Sequence, residues 1–448
     1  MSGETDLTVG VDIGTSSVKA IAADGDGRVV ARSRIPHAFA VPTPLRFEHD
    51  ASVAWRDGPG SALAALGPIE PRGVSTAAMV PSLCAVDGRG VPCSPGLLYG
   101  DERGYTTSKG NPSESGELAQ FLRWTAAAYP DAAGYWPAQA VANYAIAGEG
   151  VISTTTAAMA LPLFDWVGWD AARLAEAGAR PEQMPGVVPS GTAAGAVEGY
   201  RECVLEAGTI DAIGEQLVAG ADEVGDVLVI CGTTLIVWCV VPQPVELDGY
   251  YCVPHTAPGG KFLLGGPSNA GGLFLDWAHR LLEDSAPQLG SVARPLDPHN
   301  VPVWVPYPRG ERVPFADPTL RAQLVDLDLT HDAAAIGRAA YEAAGFVARR
   351  IIEAAPVRAK RVVAMGGGIR DAAWMRGLAD ATGIPVDVAA VPEGAALGAA
   401  FLARVAAGLE ESMGDARRWA RTAHTVQPDP RWSAAASDRY ERFREVAG

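Results

Sequence analysis

The sequence predicts an α/β protein built from two related domains. Two short loops of glycine and hydroxyl residues, 12–17 and 232–234, each follow a run of residues typical of a buried strand, and they lie about half the chain apart. Such a turn presents free N–H groups and hydroxyls that can surround a phosphate. The chain of 448 residues is also too long for one core and fits two domains of roughly 200 residues. Together these features predict a nucleotide that is bound by both halves of the chain.

A strand pattern opens each half. Residues 7–12, 18–23 and 29–34 have the alternation of strands, and an Asp-Gly-Asp-Gly turn at 24–27 marks a hairpin between the last two. The segment 226–264 is placed to repeat this arrangement. The strand–turn–strand opening resembles the core of actin-like (ribonuclease H-like) ATPases. We therefore predict two actin-like domains.

The boundary between the domains is expected near residue 224, just before the second opening. This gives a first domain at 1–224 and a second at 225–448, whose final helix could pack back on the first. The spacing of apolar residues predicts the main helices at 52–66, 116–128, 336–354, 374–382 and 394–407. In the last of these, Gly394 and Gly398 would permit close packing of backbones.

The acidic composition restricts the partners of the protein. With a net charge of −16, the protein is not expected to carry the basic surface that binding to nucleic acid or to an anionic membrane requires. The six cysteines form no Cys-x-x-Cys pair, so we expect reduced, mostly buried thiols in a cytoplasmic protein. The N-terminal segment is not expected to be a signal peptide, and the apolar stretch 227–241 is too short to span a bilayer.

Two aspartates are the candidates for chemistry. Asp12 ends a predicted strand and precedes the first phosphate turn, where it could hold the water shell of a magnesium ion or could only cap its own turn. Asp211 could be the N-cap of a helix that continues to Glu215, or the base that activates a hydroxyl. From the residues alone, both alternatives stay open for each aspartate.

Several ordered motifs match one known family. They are the segment 12–17, the loop Tyr99-Gly100-Asp101-Glu102-Arg103, Asp211 with Gly232 following 21 residues later, 310–314, 366–368, 379–380 and 396–400. With these motifs the chain resembles the FGGY family of carbohydrate kinases, from about residue 9 to residue 408. The resemblance implies an FGGY-type first domain for sugar and phosphate, an FGGY-type second domain for the nucleotide, and an interdomain cleft where ATP and sugar meet.

The same resemblance implies roles for individual residues, with ATP and Mg²⁺ as cofactors. The implied phosphate contacts are Gly14, Thr15, Ser16, Lys19, Gly232 and Thr233. The residues implied to flank the adenosine are Gly272, Gly366, Gly367, Gly368 and Asp371. Met79, Asp101 and Arg103 would bind the sugar. Asp211 would contact the sugar and take the proton of its attacking hydroxyl, and Asp12 would hold Mg²⁺ through water.

The departures from the family all lie on the sugar side. Ala212 stands where many relatives carry Asn or Gln, residues 79–82 lack the His of xylulose kinases, and Phe121 replaces a family Lys. The expected reaction is phosphorylation of a small carbohydrate by ATP, with a ketopentose such as xylulose as the expected substrate. The alternatives are a kinase for another sugar, polyol or sugar acid, and a non-catalytic ATP-binding regulatory protein. The expected partners are carbohydrate and ATP, without nucleic acid or membrane, and a homodimer is compatible with the resemblance.

Overall fold

The computed structural model describes residues 6–43, 45–104, 117–257, 259–283 and 296–448. The chain forms two compact units, the first comprising residues 1–218 and 393–419, and the second residues 219–392 and 420–448.

The strands, in chain order, are β1 (Thr8–Ile13), β2 (Ser17–Ala23), β3 (Val29–Pro36), β4 (Glu48–His49), β5 (Gly73–Ala78), β6 (Ser82–Val86), β7 (Gly96–Leu98), β8 (Gly134–Trp136), β9 (Val151–Ser153), β10 (Gly186–Val188), β11 (Ala193–Ala196), β12 (Val204–Ile210), β13 (Asp226–Cys231), β14 (Leu235–Val241), β15 (Tyr251–Pro254), β16 (Phe262–Ser268), β17 (Val303–Val305), β18 (Gln323–Val325), β19 (Arg361–Met365), β20 (Val386–Ala389) and β21 (Thr422–Val426). The α-helices are α1 (Gly58–Ala64), α2 (Glu117–Ala128), α3 (Ala138–Ala147), α4 (Thr154–Ala157), α5 (Ala171–Glu176), α6 (Asp211–Ala219), α7 (Gly272–Glu283), α8 (Ala333–Ala354), α9 (Ala372–Thr382), α10 (Gly394–Ala406) and α11 (Pro430–Ala447).

The main sheet of the first unit has the strand order β11-β12-β5-β1-β2-β3. Strands β1, β2 and β3 form the predicted antiparallel hairpins, while β5 pairs with β1 and with β12 in parallel. A second, four-stranded sheet has the order β4-β7-β6-β8. Because β1, β5 and β12 run parallel, their carboxyl ends lie at one edge of the main sheet, where ligands bind in open α/β sheets.

Helix α10 belongs to the first unit, although it lies late in the sequence. It packs on β1 and β5 so closely that a Cβ atom at Gly10 would lie 1.8 Å from the carbonyl oxygen of Ala396. A Cβ atom at Gly398 would lie 2.0 Å from the carbonyl oxygen of Gly214, so the close packing expected of this helix is present. The compact units place residues 393–419 with the first unit, whereas the expected division near residue 224 assigned them to the second domain.

The second unit repeats the opening pattern in a seven-stranded sheet, with the order β15-β16-β14-β13-β19-β20-β21. Its first strands, β13, β14 and β16, pair antiparallel, and β19 joins β13 in parallel. Helices α8 and α9 occupy the segments in which helices were predicted and bury their apolar sides in the core. The final helix, α11, belongs to the second unit and packs against α8 and α9. The sequence had suggested that this helix could pack on the first domain.

The cysteines agree with the expected reduced state, since all six are free thiols and Cys203, Cys231 and Cys239 are buried. Across the described ranges, no helix has both the length and the apolar character needed to cross a bilayer.

Candidate active site

Asp12 and Lys19 form an ion pair at the carboxyl edge of the first sheet. The hairpin register places the two residues directly opposite each other on β1 and β2. Lys19 Nζ donates to Asp12 Oδ2 at 3.1 Å, and the Asp12 side chain is mostly buried. The carboxylate of Asp12 raises the pKa of Lys19 above its ordinary value, against the opposing effect of burial. Lys19 is therefore a fixed cation beside the first glycine turn.

The first predicted phosphate turn uses its carbonyl groups for internal support. Gly14 N donates to the carbonyl of Ser17 at 3.1 Å, and His37 N donates to the carbonyl of Ser16 at 3.1 Å. The carbonyl of Thr15 is 2.8 Å from His49 Nε2. Thr15 is half-buried and Ser16 is exposed. The side chains of Thr15 and Ser16 thus remain accessible, while hydrogen bonds from neighbouring groups hold the backbone of the turn.

Asp211 stands at the first position of α6, directly after a distorted end of β12. The β12–β5 register shifts between Glu206 and Thr209, and Gly208 has a φ of +91°, a conformation that L side chains rarely adopt. The buried carboxylate of Glu206 stabilises this bulge by accepting from Gly208 N at 2.9 Å and from Ser75 Oγ at 2.6 Å. The bulge therefore sets the direction in which α6 and Asp211 leave the sheet.

The predicted catalytic aspartate also makes a local backbone bond. Asp211 Oδ1 accepts from the N–H of Ala212 at 2.7 Å. An N-cap side chain would instead accept from the second or third N–H of the helix, so this contact is local to the first two residues of α6. The role of Asp211 as base stays a prediction.

Glu215 also belongs to this site, although its position in the sequence indicated only that the helix after Asp211 continues. It lies four residues after Asp211, which places both on the same face of α6. Its side chain is buried, and Oε2 has no hydrogen-bond partner among the described residues. Burial, together with the charges of Asp211 and Asp12, raises the pKa of Glu215 well above its ordinary range. The i, i+4 spacing to Asp211 was the signal that could have revealed it.

The predicted sugar loop is held by a buried ion-pair cluster. Arg103 donates through Nε to Asp101 Oδ1 at 2.7 Å and through Nη2 to Asp101 Oδ2 at 2.6 Å. The side chain of Asp101 is fully buried and that of Arg103 is 4% exposed, with the guanidinium 4.6 Å from the ring centroid of Trp124. Met79 is also buried, within the core of the first unit. In the structure, Asp101 and Arg103 thus bind each other and maintain the shape of the loop.

The second predicted phosphate turn packs against the start of α7. Gly272 N donates to the carbonyl of Gly232 at 2.9 Å, and Leu273 N donates to the carbonyl of Thr233 at 3.0 Å. A Cβ atom at Gly271 would lie 2.3 Å from the backbone of Thr234, which explains the glycine there. Gly232, Thr233 and Gly272 are therefore neighbours at the carboxyl end of β13.

The triple-glycine turn after β19 lies beside the same strand end. A Cβ atom at Gly366 would lie 2.8 Å from the carbonyl oxygen of Cys231, and one at Gly368 would lie 2.2 Å from the ring of Trp374. Gly367 has open space beside it. The structure thus brings the glycines of the predicted adenosine site together with the second turn.

Asp371, predicted beside the adenosine, is bound to groups of its own unit. Oδ1 accepts from Ala373 N at 2.9 Å and caps α9, and Oδ2 accepts from Tyr341 Oη at 2.6 Å. Both carboxylate oxygens thus accept from groups of the second unit, and the contact of Asp371 with adenosine stays a prediction.

The Gly-Glu-Arg-Val-Pro motif supports the loop that precedes α7. The buried carboxylate of Glu311 accepts from Ser268 Oγ at 2.6 Å and from Asn269 N at 2.9 Å. Asn269 Nδ2 in turn donates to the carbonyl of Gly310 at 2.9 Å. Glu311 therefore fixes the approach of the chain to Gly272.

The stability of the second unit is expected to depend on the ionisation of Glu311. Burial raises the pKa of Glu311 to about 7, compared with 4.5 in the unfolded chain. The folded state thus binds the proton more tightly, so this stabilisation is complete below pH 4.5 and is lost as the pH rises through 7. The loss is on the order of 3 kcal/mol. Denaturant unfolding between pH 4.5 and 7.5 should show a smaller pH dependence for Glu311→Gln than for the wild type, and equal pH dependence would contradict this assignment.

The chain is similar to known carbohydrate kinases in sequence and in structure. Residues 227–407 match the FGGY family of carbohydrate kinases, C-terminal domain. The xylulose kinase of Escherichia coli (strain K12) is 25% identical, with 98% of each chain covered. The gluconokinase of Bacillus licheniformis is 23% identical, with 91% of this chain and 89% of that protein covered.

A solved structure shares the fold over nearly the whole length. The ligand-bound xylulose kinase of Lactobacillus acidophilus superposes with a TM-score of 0.80 at 19% identity, covering 98% of this chain and 97% of that chain. The predicted two-domain actin-like fold is thereby confirmed. With the match of residues 227–407 to the C-terminal domain of the FGGY family and the full-length similarity to a xylulose kinase, the chain is an ATP-dependent carbohydrate kinase.

Proposed function

We propose that the protein transfers the γ-phosphoryl group of ATP to a hydroxyl of a ketopentose such as xylulose. The observation that carries the proposal is the common position of Asp211 and the Asp12–Lys19 ion pair at one edge of the first sheet, next to the hydroxyl-lined turn. The full-length similarity to a xylulose kinase supports the choice of sugar class.

In this proposal, Asp211 acts as the general base. The attacking sugar hydroxyl gives its proton to the carboxylate of Asp211 while its oxygen bonds to the γ-phosphorus, and the bond to the β-phosphate oxygen breaks to release ADP. The neighbouring Glu215 is buried on the same face of α6, and burial together with the charges of Asp211 and Asp12 raises its pKa above the ordinary range.

The remaining residues of the first unit would align the phosphates. Lys19 is a fixed cation, and the hydroxyls of Thr15 and Ser16 are accessible donors beside it. Phosphoryl transfer depends chiefly on such alignment and charge stabilisation. In the second unit, we assign the turn at Gly232 and Thr233 to the phosphates, and the adjoining glycines at 272 and 366–368 to the adenosine, because Gly272 and Gly366 bring their turns against the end of β13.

The residues present fit a magnesium ion that is held mainly by phosphate and water. Mg²⁺ in nucleotide sites is usually bound through one or two carboxylates and keeps several waters. Lys19 engages Oδ2 of Asp12, which leaves Oδ1 to accept from such a water. Within the described residues, no group of three or more His, Cys, Asp or Glu side chains could hold a metal without this help. When bound, the ion would neutralise charge on the phosphates.

Two other functions are favoured by particular observations. Ala212 and the absence of a histidine at 79–82 favour a sugar, polyol or sugar acid other than xylulose, and a gluconokinase is among the relatives. The ion pair between Asp101 and Arg103 favours a regulatory protein that binds ATP without turnover. We further infer a cytoplasmic location, which the free thiols support, and a homodimer, which light scattering would test.

The test of the proposed function is magnesium-dependent release of ADP with a panel of ketoses, aldoses, polyols and sugar acids. We expect turnover with a ketopentose at a rate well above ATP hydrolysis without sugar. Turnover with a sugar acid or polyol alone would replace the proposed substrate class. Nucleotide binding without turnover on any member of the panel would favour the regulatory function.

A further inference from the structure

The two-residue strand β4 lies between the predicted sugar loop and the first phosphate turn. Successive side chains of a strand point to opposite faces. Glu48 therefore faces one way and contacts Arg103, whereas His49 faces the other way and contacts the carbonyl of Thr15. Glu48 and His49 thus contact two different loops. The proposed function assigns one of these loops to the sugar and the other to the phosphates of ATP.

The hydrogen bonds of His49 determine which ring nitrogen carries the proton. The indole N–H of Trp55 can only donate, and it donates to His49 Nδ1 at 3.0 Å. In the neutral ring, the hydrogen is therefore on Nε2, which donates to the carbonyl of Thr15 at 2.8 Å. Both His49 and Trp55 are buried, and burial lowers the pKa of His49 to about 4. His49 thus provides a directed hydrogen bond to the back of the phosphate turn at neutral pH.

The other side of β4 is tied to the sugar loop by charge. Glu48 Oε1 is 2.7 Å from Arg103 Nη2, and both side chains are largely buried. The residue before the strand, Phe47, donates its N–H to Asp101 Oδ2 at 2.6 Å. A displacement of the 101–103 loop would therefore act directly on β4.

We propose that Glu48 and His49 are positioning residues that couple the sugar loop to the phosphate turn. His49 sets the position of Thr15, and Glu48 transmits the position of Arg103 to the same strand. The inference rests on the proposed function for the identity of the two ligands. It predicts that a change at Glu48, which does not contact the phosphate turn, alters nucleotide affinity. By linkage, the bound sugar and the nucleotide influence each other's affinity equally.

The test is a double-mutant cycle read by ADP affinity, measured by calorimetry with Mg²⁺ and without sugar. His49→Phe removes the donor to Thr15 and is expected to raise the Kd for ADP about tenfold, the equivalent of one lost hydrogen bond. His49→Gln keeps an N–H donor on a side chain and should recover most of the affinity. Glu48→Gln should raise the Kd severalfold, and the double variant should change it by less than the product of the single changes.

The possible results distinguish coupling between the two loops from a general loss of folding, and they also distinguish failure of the coupling from failure of the proposed function. His424→Phe, at an exposed histidine, is the matched control, and thermal unfolding of each variant shows whether the fold persists. Multiplicative effects in the cycle, or an unchanged Kd in folded His49→Phe, would overturn the coupling. A wild-type protein that does not bind ADP would instead overturn the proposed function and this inference with it.

Discussion

Asp211→Asn is expected to abolish nearly all phosphoryl transfer while leaving ADP binding measurable. The amide has the shape of the carboxylate but cannot accept the proton of the attacking hydroxyl. Removal of a general base typically costs about 10²- to 10⁴-fold in rate. The fall should appear in kcat, measured by ADP release with the sugar that the panel identifies.

The geometry around Asp211 makes this substitution interpretable. Asp211 Oδ1 accepts from the Ala212 N–H, and the side-chain oxygen of an asparagine can accept the same hydrogen bond, so the start of α6 should persist. Asp438→Asn is the matched control, because Asp438 is exposed on α11. Wild-type turnover in folded Asp211→Asn would exclude Asp211 as the base.

Glu342→Ala is expected to cause the largest loss of stability. Glu342 is fully buried on α8, where it accepts from Arg439 Nε at 2.7 Å and from Arg439 Nη2 at 2.8 Å. It also accepts from Arg338 Nε at 2.8 Å. Removing one partner from a buried ion pair leaves an uncompensated charge and costs about 3–5 kcal/mol. Denaturant unfolding, followed in the transition of the second unit, should reveal this loss.

An exposed ion pair on the same helix as Arg439 provides the comparison. Glu441 lies 3.4 Å from Arg444 on α11, with both side chains more than half exposed. Glu441→Ala should change the free energy of unfolding by about 0.5 kcal/mol or less, because solvent screens such pairs. A similar loss in the two variants would show that Glu342 does not anchor α11.

The sequence alone determined the features that depend on near neighbours in the chain. The hairpins of β1 to β3, the glycine turns at 12–17 and 232–234, and helices α8 and α9 all occur where they were predicted. Periodicity and turn chemistry act over a few residues, so the local sequence contains the necessary information. The ordered motifs likewise led to the correct fold and family.

The tertiary structure decided which distant residues meet. Glu48 and Arg103 form an ion pair, and Arg103 is buried against Asp101, whereas the predicted contact of both side chains with a sugar stays a prediction. Glu215 joins the site only because α6 begins at a bulge stabilised by Glu206. The partner of a charge or a histidine is set by packing between elements far apart in the chain, and no local pattern specifies it. Local sequence thus predicted the turns and Asp211, whereas tertiary packing determined the surroundings that control their chemistry.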